Sequence, residues 1–510
     1  MSCTIEMYPT FFKVRAIQPI MYAALRSFLD SKVEKSLEKV RGKMRKVNKY
    51  IYVFKNKKAM EYHIHINHYK EFMDCLKRHE LNLKKIKIVN KRVHTGDKID
   101  HVFNPSFTPR VDEKINQESV ISTMLDEGPI KVGSLSMGGG KTFCSCYSAY
   151  LYGEKLGIQV LKRYLDKWVS DVHELYQVEE EDLMIIDSGQ ALNKALKMAD
   201  EGELPKFKVC IFTTSVLYNY IKDYGETNFK GKPKWKVPPY KIYEALGIGF
   251  RIVDEVHQHF HQNFIVEVNT SVKKSVLLSA TLISSDKFRN DLYNTLYPEK
   301  DRSTGGFMPK YTHVKSLQYP MDKATKVNYV SANGGYSHIM FEKSLQRNKA
   351  VFARYLDMLS FSVAKDFVAK DKEDSKCLVF CSLVEVCDKL VEHLKDLYPD
   401  LKIARYTSDD PYEVVIESDI IVSTLGSAGT ALDIPNLLTC IMSVGLSAPQ
   451  ANLQAFGRLR DLNKKFGTEV TFVYFSCYHI DKHMEYERQK RVLLNPKTKS
   501  FEKEFYPVKI

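Results

Sequence analysis

The chain has 510 residues, 44% of them hydrophobic and 27% charged, the balance of an ordinary soluble globular protein with enough length for three or four folded units. No apolar run approaches the roughly 20 residues that span a bilayer, and the opening MSCTIEMYPTFFKVRAI lacks the charged, apolar and cleavage regions of a secretory signal. The formal charge of +14 is unevenly spread: residues 1–100 hold 23 Lys and Arg against 10 Asp and Glu, and the rest holds 53 against 52.

That excess in the first fifth predicts a face for polyanions, set against the plainer reading of a solvated basic surface. The same region reads as a small α+β module over 1–105. Residues 4–16 and 50–54 are rich in β-branched and aromatic residues and predict strands. Residues 18–30 carry helix-spaced apolar positions after Pro19, a second helix is expected over 67–80, and a strand follows at 85–90. The polar stretch 94–110, with Gly96, Pro105 and Pro109, ends the module.

From about 111 the pattern changes. Short apolar runs (KVGSLSM, KVCIFTTS, FRIVDEV, SVLLSAT) alternate with helical stretches to about 300, and the alternation resumes over 335–490 with CLVFCS, DLKIARY, DIIVSTL, LTCIMSV and VTFVYFS. Alternation of this kind is what parallel sheets built from βαβ units require. The fold class expected is α/β, with two parallel-sheet lobes over 111–320 and 325–510 behind the basic module, and a polar connection near 305–335. Residues 222–246, with KGKPKWKVPPYK, read as an insertion whose prolines oppose regular structure. Ten cysteines lie scattered; Cys144 and Cys146, and Cys377 and Cys381, are close pairs without a second pair at zinc-finger spacing. Reduced thiols in a cytoplasmic protein are expected, and no structural metal.

Leu135–Thr142 (LSMGGGKT) follows a strand-like segment and precedes a helical one. Three glycines let backbone wrap a phosphate and aim N–H groups at it, so Met137, Gly138, Gly139 and Gly140 are assigned to nucleotide. Lys141 would supply charge to the β- and γ-phosphates and Thr142 a hydroxyl to Mg²⁺. The first position of the motif, usually Gly or Ala, is Leu135. The alternative is a glycine turn that happens to precede Lys-Thr. Farther on, the run FRIV ends in Asp254-Glu255-Val256-His257. Two carboxylates after a strand stand at the rim of a parallel sheet, where Asp254 would hold Mg²⁺ and Glu255 would orient and deprotonate an attacking water. The bland reading of such a pair is a solvated turn.

With a phosphate loop followed by DEVH, the chain resembles the superfamily 2 helicases, whose lobes are RecA-like. The resemblance covers roughly 111–480. It implies an ATP- and Mg²⁺-dependent, nucleic-acid-stimulated hydrolase. Gln117 matches that family's adenine-reading glutamine. Ser279-Ala280-Thr281 looks like the S-A-T motif, which with His257 would couple hydrolysis to grip. Val160–Trp168, with Lys162 and Arg163, and the pair Thr213 and Thr214 resemble nucleic-acid contacts. Ser423–Pro435 (STLGSAGTALDIP) is similar to the motif touching strand and ATP, implying nucleic-acid roles for Ser423 and Thr424 and a nucleotide role for Asp433, with Ala431 where many relatives have Gly. Gln454–Arg460 (QAFGRLR) resembles the arginine-finger motif, implying coupling by Gln454 and phosphate contacts by Arg458 and Arg460, although the second arginine comes one position early. Within the superfamily the sequence looks most like phage branch-migration helicases of the UvsW type, and Ser423–Pro435 also resembles a poxviral transcript-release helicase. The implied partner is forked, branched or duplex DNA, in a host cytoplasm, with no membrane. Rival readings are an RNA helicase, a translocase that pumps duplex unopened, and a clamp that has lost hydrolysis. Retention of Lys141, Thr142, Asp254, Glu255 and Arg458 argues against the clamp.

Overall fold

The computed structural model describes residues 4–15, 19–40, 43–56, 61–112, 115–135, 138–227, 236–279, 282–284, 286–303, 310–322, 325–332, 334–407, 410–428 and 434–510. Two compact units divide them, Met1–Leu282 with Asp286–Gly306, and Ile283–Ser285 with Phe307–Ile510. No helix among the described residues is long and apolar enough to cross a membrane.

The first unit begins with a five-stranded sheet in the order Phe54–Asn56, Glu61–His65, Phe11–Arg15, Thr4–Met7, Lys87–Asn90. Helices Pro19–Asp30 and Tyr69–Arg78 accompany it, with Ile5, Phe12, Phe28, Ile64 and Phe72 in their shared core. The strand expected over 4–16 is a hairpin. Pro9 has no N–H for a ladder, and the chain turns there, Tyr8 N–H donating to the Phe11 carbonyl at 2.8 Å. The strand expected at 50–54 belongs to two elements, ending Lys43–Ile51 and opening Phe54–Asn56. Lys43–Ile51 pairs only with Val33–Val40, as a separate antiparallel ribbon.

This basic region and the lobe that follows share one interior. Tyr8, Phe11 and Tyr52 join Phe260, Phe264, Tyr293 and Tyr297 in a single apolar cluster. Polar contacts sew the same seam: the Thr10 hydroxyl donates to the Glu267 carbonyl at 3.0 Å, the Asn67 amide to Leu296 at 2.7 Å, and Arg289 meets Glu34 at 2.9 Å. Burial alone would raise the Glu267 carboxyl. His65, Arg251 and the Tyr297 hydroxyl surround it and together hold it below its ordinary range.

The lobe itself is an all-parallel seven-stranded sheet in the order Leu183–Ile186, Val209–Thr213, Leu156–Val160, Phe250–Val253, Lys274–Leu278, Ile130–Gly133, Arg302–Ser303. Its inner strands are buried on both faces, which is why they read as unbroken apolar runs. Of the insertion at 222–246, residues 228–235 lie outside the described set. Around them the chain is more regular than its prolines suggest. Helix Thr214–Thr227 runs into the insertion and the short helix Ile242–Ala245 closes it, Ile242 and Tyr243 being fully buried.

The second unit repeats the plan, with seven parallel strands ordered Ile403–Tyr406, Ile420–Thr424, Lys376–Cys381, Leu437–Met442, Val470–Cys477, Thr312–Tyr319, Ser500–Phe505. The two parallel-sheet lobes expected from the alternation are thus present. The lobe boundary set at 320–325 moves back. Thr312–Tyr319, read as part of the first lobe and its connection, pairs with both Val470–Cys477 and Ser500–Phe505 and is an inner strand of the second sheet.

Glu342 lies fully buried in this unit and accepts the backbone N–H groups of Ser382 and Leu383 at 3.0 Å. Burial outweighs those bonds and pushes its carboxyl up to about 8 from the ordinary 4.5. The folded chain therefore keeps a proton that the unfolded chain has released between those values. Its contribution to stability is complete below pH 4.5 and is lost as pH rises through about 8. Glu342→Gln is expected to flatten that fall, which cannot exceed about 1.4 kcal/mol per pH unit. Urea melts at a series of pH values measure it, and parallel slopes for variant and wild type would refute it.

Candidate nucleotide site

The phosphate loop stands where the sequence puts it, between strand Ile130–Gly133 and helix Lys141–Tyr152. Gly138 and Gly140 take φ of +80° and +81°, the left-handed region that favours glycine. A side chain on Gly140 would also collide with Gln117, whose Nε2 would lie 2.3 Å from its Cβ. Gln117 is buried at the start of helix Gln117–Leu125. It donates from Nε2 to the Gly139 carbonyl at 3.3 Å and accepts the Arg110 N–H at 2.9 Å. The glutamine assigned to adenine thus braces the loop itself. Met137 lies outside the described residues.

Four strands on in sequence, and separated from Ile130–Gly133 in the sheet by Lys274–Leu278 alone, Phe250–Val253 delivers the acidic pair to the same carboxyl edge. Lys141 Nζ is 3.7 Å from Glu255 Oε1, and both side chains are 13% exposed. Asp254 accepts the indole N–H of Trp168 at 2.8 Å. Burial and the neighbouring Glu255 push the Asp254 carboxyl up to about 6, against the pull of the Trp168 N–H and the Lys141 ammonium. Glu255 sits at φ +44°, a conformation that costs a non-glycine residue about 1–3 kcal/mol. That turn aims its carboxylate back at the lysine. Its Oε2 has no hydrogen-bond partner among the described residues. His257 Nδ1 lies 3.3 Å from that oxygen and 2.7 Å from the Ser279 hydroxyl. Burial and Lys141 hold His257 down to about 3, so it is neutral at physiological pH. Ser279 follows strand Lys274–Leu278, and its N–H donates to the Gly133 carbonyl at 3.2 Å, so loop strand, acidic turn and Ser279 form one connected edge. Ala280 and Thr281 lie outside the described residues.

These residues suit Mg²⁺ as part of a nucleotide complex. Among the described residues no group of three or more His, Cys, Asp or Glu could hold a metal alone. Mg²⁺ typically needs only one or two protein oxygens beside phosphates. Thr142, in the first turn after the loop, and Asp254, a half-buried carboxylate at the strand end, are the donors that fit.

The remaining assignments fall on both sides of the surface. Lys162 and Arg163 are exposed, and Arg163 and the Tyr164 hydroxyl both donate to the Gln258 side chain, just beyond the acidic turn. Thr213 and Thr214 are buried; Thr213 meets the Ser215 hydroxyl at 3.4 Å and Thr214 donates to the Val160 carbonyl at 3.3 Å, so their side chains serve the interior. In the second unit, the buried Ser423 hydroxyl donates to the Tyr406 carbonyl at 2.6 Å, while Thr424 donates to Ser427 at 3.0 Å and borders a cleft of about 520 Å³ at the carboxyl edge of the sheet. Gln454 and Arg458 are buried. Arg460 turns back on its own chain, donating to the Gly457 and Leu459 carbonyls. Asp433 lies outside the described residues.

Two supports were not singled out from the sequence. Trp168 belongs to the segment assigned to nucleic acid, yet its ring is buried and its N–H serves Asp254. Gln159 and Asn263 are buried and bonded to each other at 2.9 Å, and Asn263 also donates to the Val256 and Gln258 carbonyls, fixing the acidic turn from behind. A glutamine inside the apolar strand LGIQV is the signal that could have found them.

No protein-family model and no curated protein matches the sequence. Solved structures of similar form exist. A structure of Mss116p, with NTE and C-tail deleted and bound to ssRNA and AMP-PNP, has 16% identity over 77% of this chain and 74% of that one, at a TM-score of 0.48. The DEAD-box helicase Mss116 bound to ssRNA and UDP-BeF gives the same values. S. cerevisiae Dbp5 bound to RNA and ADP BeF3 has 11% identity over 76% of this chain and 88% of that one, at a TM-score of 0.46.

Proposed function

We propose that the chain is an ATP-driven motor on nucleic acid, a superfamily 2 helicase or translocase. One observation carries the reading: Lys141, Asp254 and Glu255 converge on a glycine-wrapped loop at the carboxyl edge of a parallel sheet, and Glu255 Oε2 faces His257 Nδ1 at 3.3 Å without a hydrogen bond among the described residues. A carboxylate oxygen with no hydrogen bond of its own, beside a phosphate-binding lysine, is what a base for an attacking water needs. The loop glycines and Lys141 hold the phosphates, and Mg²⁺, held by Thr142 and Asp254, would neutralise phosphate charge. Glu255 Oε2 takes the proton of the attacking water. Neutral His257, touching both Glu255 and Ser279, is placed to pass the state of the site to the neighbouring strand end. Arg458 is the proposed second-unit partner of the phosphoryl charge, on the motif resemblance alone.

The basic first hundred residues support a polyanionic track. Forked, branched or duplex DNA is the substrate class favoured by the motif resemblance to branch-migration helicases. Steady-state ATP hydrolysis with no nucleic acid, single-stranded DNA, blunt duplex, four-way-junction DNA and RNA tests it. The strongest stimulation is expected from branched DNA. Stimulation by RNA alone would make the protein an RNA motor, and no stimulation by any of them would remove the motor.

A further inference from the structure

The ribbon Val33–Val40 and Lys43–Ile51 belongs to neither sheet of its unit and is largely exposed. Along its second strand Lys43, Met44, Arg45, Lys46, Asn48, Lys49 and Ile51 are exposed, with only Val47 and Tyr50 half-covered. Among the described residues the side-chain contacts that tie it to the lobe lie at its base. Tyr50 stacks near His261 at 4.9 Å between ring centres, Tyr52 near Phe260 at 5.5 Å, and Glu34 takes bonds from Tyr52 at 3.1 Å and Arg289 at 2.9 Å. A two-stranded ribbon packed on nothing is marginal in water. A partner that covers it is the physical reason to keep one.

Register and charge say what that partner is. Lys35 faces Asn48 and Leu37 faces Lys46, so one face carries Lys35, Leu37, Lys46 and Met44; the other carries Glu38, Arg45 and Lys43. Exposed cations therefore stand on both faces: Lys35, Lys43, Arg45, Lys46 and Lys49, against the exposed acid Glu38. Glu34 is spent at the base. Leu37 and Met44 are bare, at 62% and 56% exposure. A membrane surface would engage one face and waste the other. A nucleic-acid groove has phosphates on both walls, and a major groove about 12 Å wide admits a two-stranded ribbon.

We propose that this ribbon is an arm that lies in a groove of duplex nucleic acid, the face with Lys35, Leu37, Met44 and Lys46 against one wall and the face with Lys43 and Arg45 against the phosphates of the other. The assignment rests on the motor reading above and adds the part of the chain that grips the double strand. Because Tyr50 and Tyr52 rest on helix Phe260–Glu267, which begins three residues after His257, the arm is rooted beside the acidic turn.

The test uses the full chain with Lys35→Gln, Arg45→Gln and Lys46→Gln combined, and separately Leu37→Ala with Met44→Ala. Affinity for a blunt duplex is measured across a salt series, with basal and single-strand-stimulated ATP hydrolysis alongside. Each phosphate contact removed should lower the slope of log affinity against log salt by roughly 0.9. The triple variant is thus expected to lose about 2 to 3 from the slope, with basal hydrolysis and melting temperature unchanged. The apolar double variant should bind duplex more weakly at the wild-type slope. Wild-type slope and affinity in both variants would overturn the arm while leaving the motor intact. Wild-type protein that neither binds duplex nor responds to any nucleic acid would instead overturn the motor, and the arm with it. Retained duplex binding in the triple variant, together with lost binding to anionic phospholipid vesicles, would reassign the ribbon to membranes.

Discussion

Glu255→Gln is expected to lower ATP turnover by about 10²–10⁴-fold while leaving nucleotide affinity within a few-fold of wild type. The substitution keeps the size and the hydrogen-bonding oxygen of the side chain and removes its capacity to accept a proton. The site makes that loss hard to replace. Glu255 is held at φ +44°, so its carboxylate is aimed by the backbone, and its Oε2 accepts no hydrogen bond among the described residues. Asp254 is engaged by Trp168, and His257 faces Ser279, so neither is free to take over. Steady-state hydrolysis and equilibrium binding of a fluorescent ATP analogue, measured on the same preparation, separate chemistry from binding. Turnover near the wild-type rate would mean that another group deprotonates the water.

Lys141→Ala is expected to cost both binding and chemistry, about 10²–10³-fold in kcat/KM, the usual effect of losing one donor that stabilises developing charge. It has a second consequence inside the apo site. Lys141 is the cation nearest the acidic turn, 3.7 Å from Glu255, and it also lowers the Asp254 carboxyl. Without it two adjacent carboxylates confront each other in a buried place, and Asp254 should hold its proton to a higher pH. Arginine is no substitute, since a planar fork does not fill the place of a compact ammonium. The double variant Lys141→Ala with Glu255→Gln should therefore lose less activity than the two single losses combined. Strict additivity would mean that the two side chains act independently despite their separation. Wild-type nucleotide affinity in Lys141→Ala would remove the loop from the site.

The two parallel sheets were legible because their inner strands are covered on both faces, leaving mostly apolar runs such as VCIFT and FRIV, in which Arg251 is the one charged residue. The glycine loop and the acidic turn were legible because phosphate and metal chemistry permits few residue types. Thr312–Tyr319 was misplaced for a reason that local sequence does not encode. A strand announces itself by pattern, but the sheet it joins depends on partners over 150 residues away. The ribbon at 33–51 gave no strand signal because a ribbon wet on both faces has no apolar alternation, and its lysines read as a charged surface. The pairing of Trp168 with Asp254 spans 86 residues, and the same segment carried a competing reading as a nucleic-acid contact. Thr213 and Thr214 were assigned as contacts from motif position, which records where a residue sits in the chain and not which way its side chain turns.

The shared interior between the basic module and the first lobe also decides how the protein can be cut. Phe260, Phe264, Tyr293 and Tyr297 are capped by Tyr8, Phe11 and Tyr52, and the backbone carbonyls of Glu267 and Thr270 are met by Thr10. A chain shortened to begin at about residue 100 would display those aromatic rings to water and strand the buried Glu267 without His65. Such a fragment would stick to itself before it could be asked what the module does. The first lobe has given up independence at this seam, and the first hundred residues serve it as much as they serve any ligand.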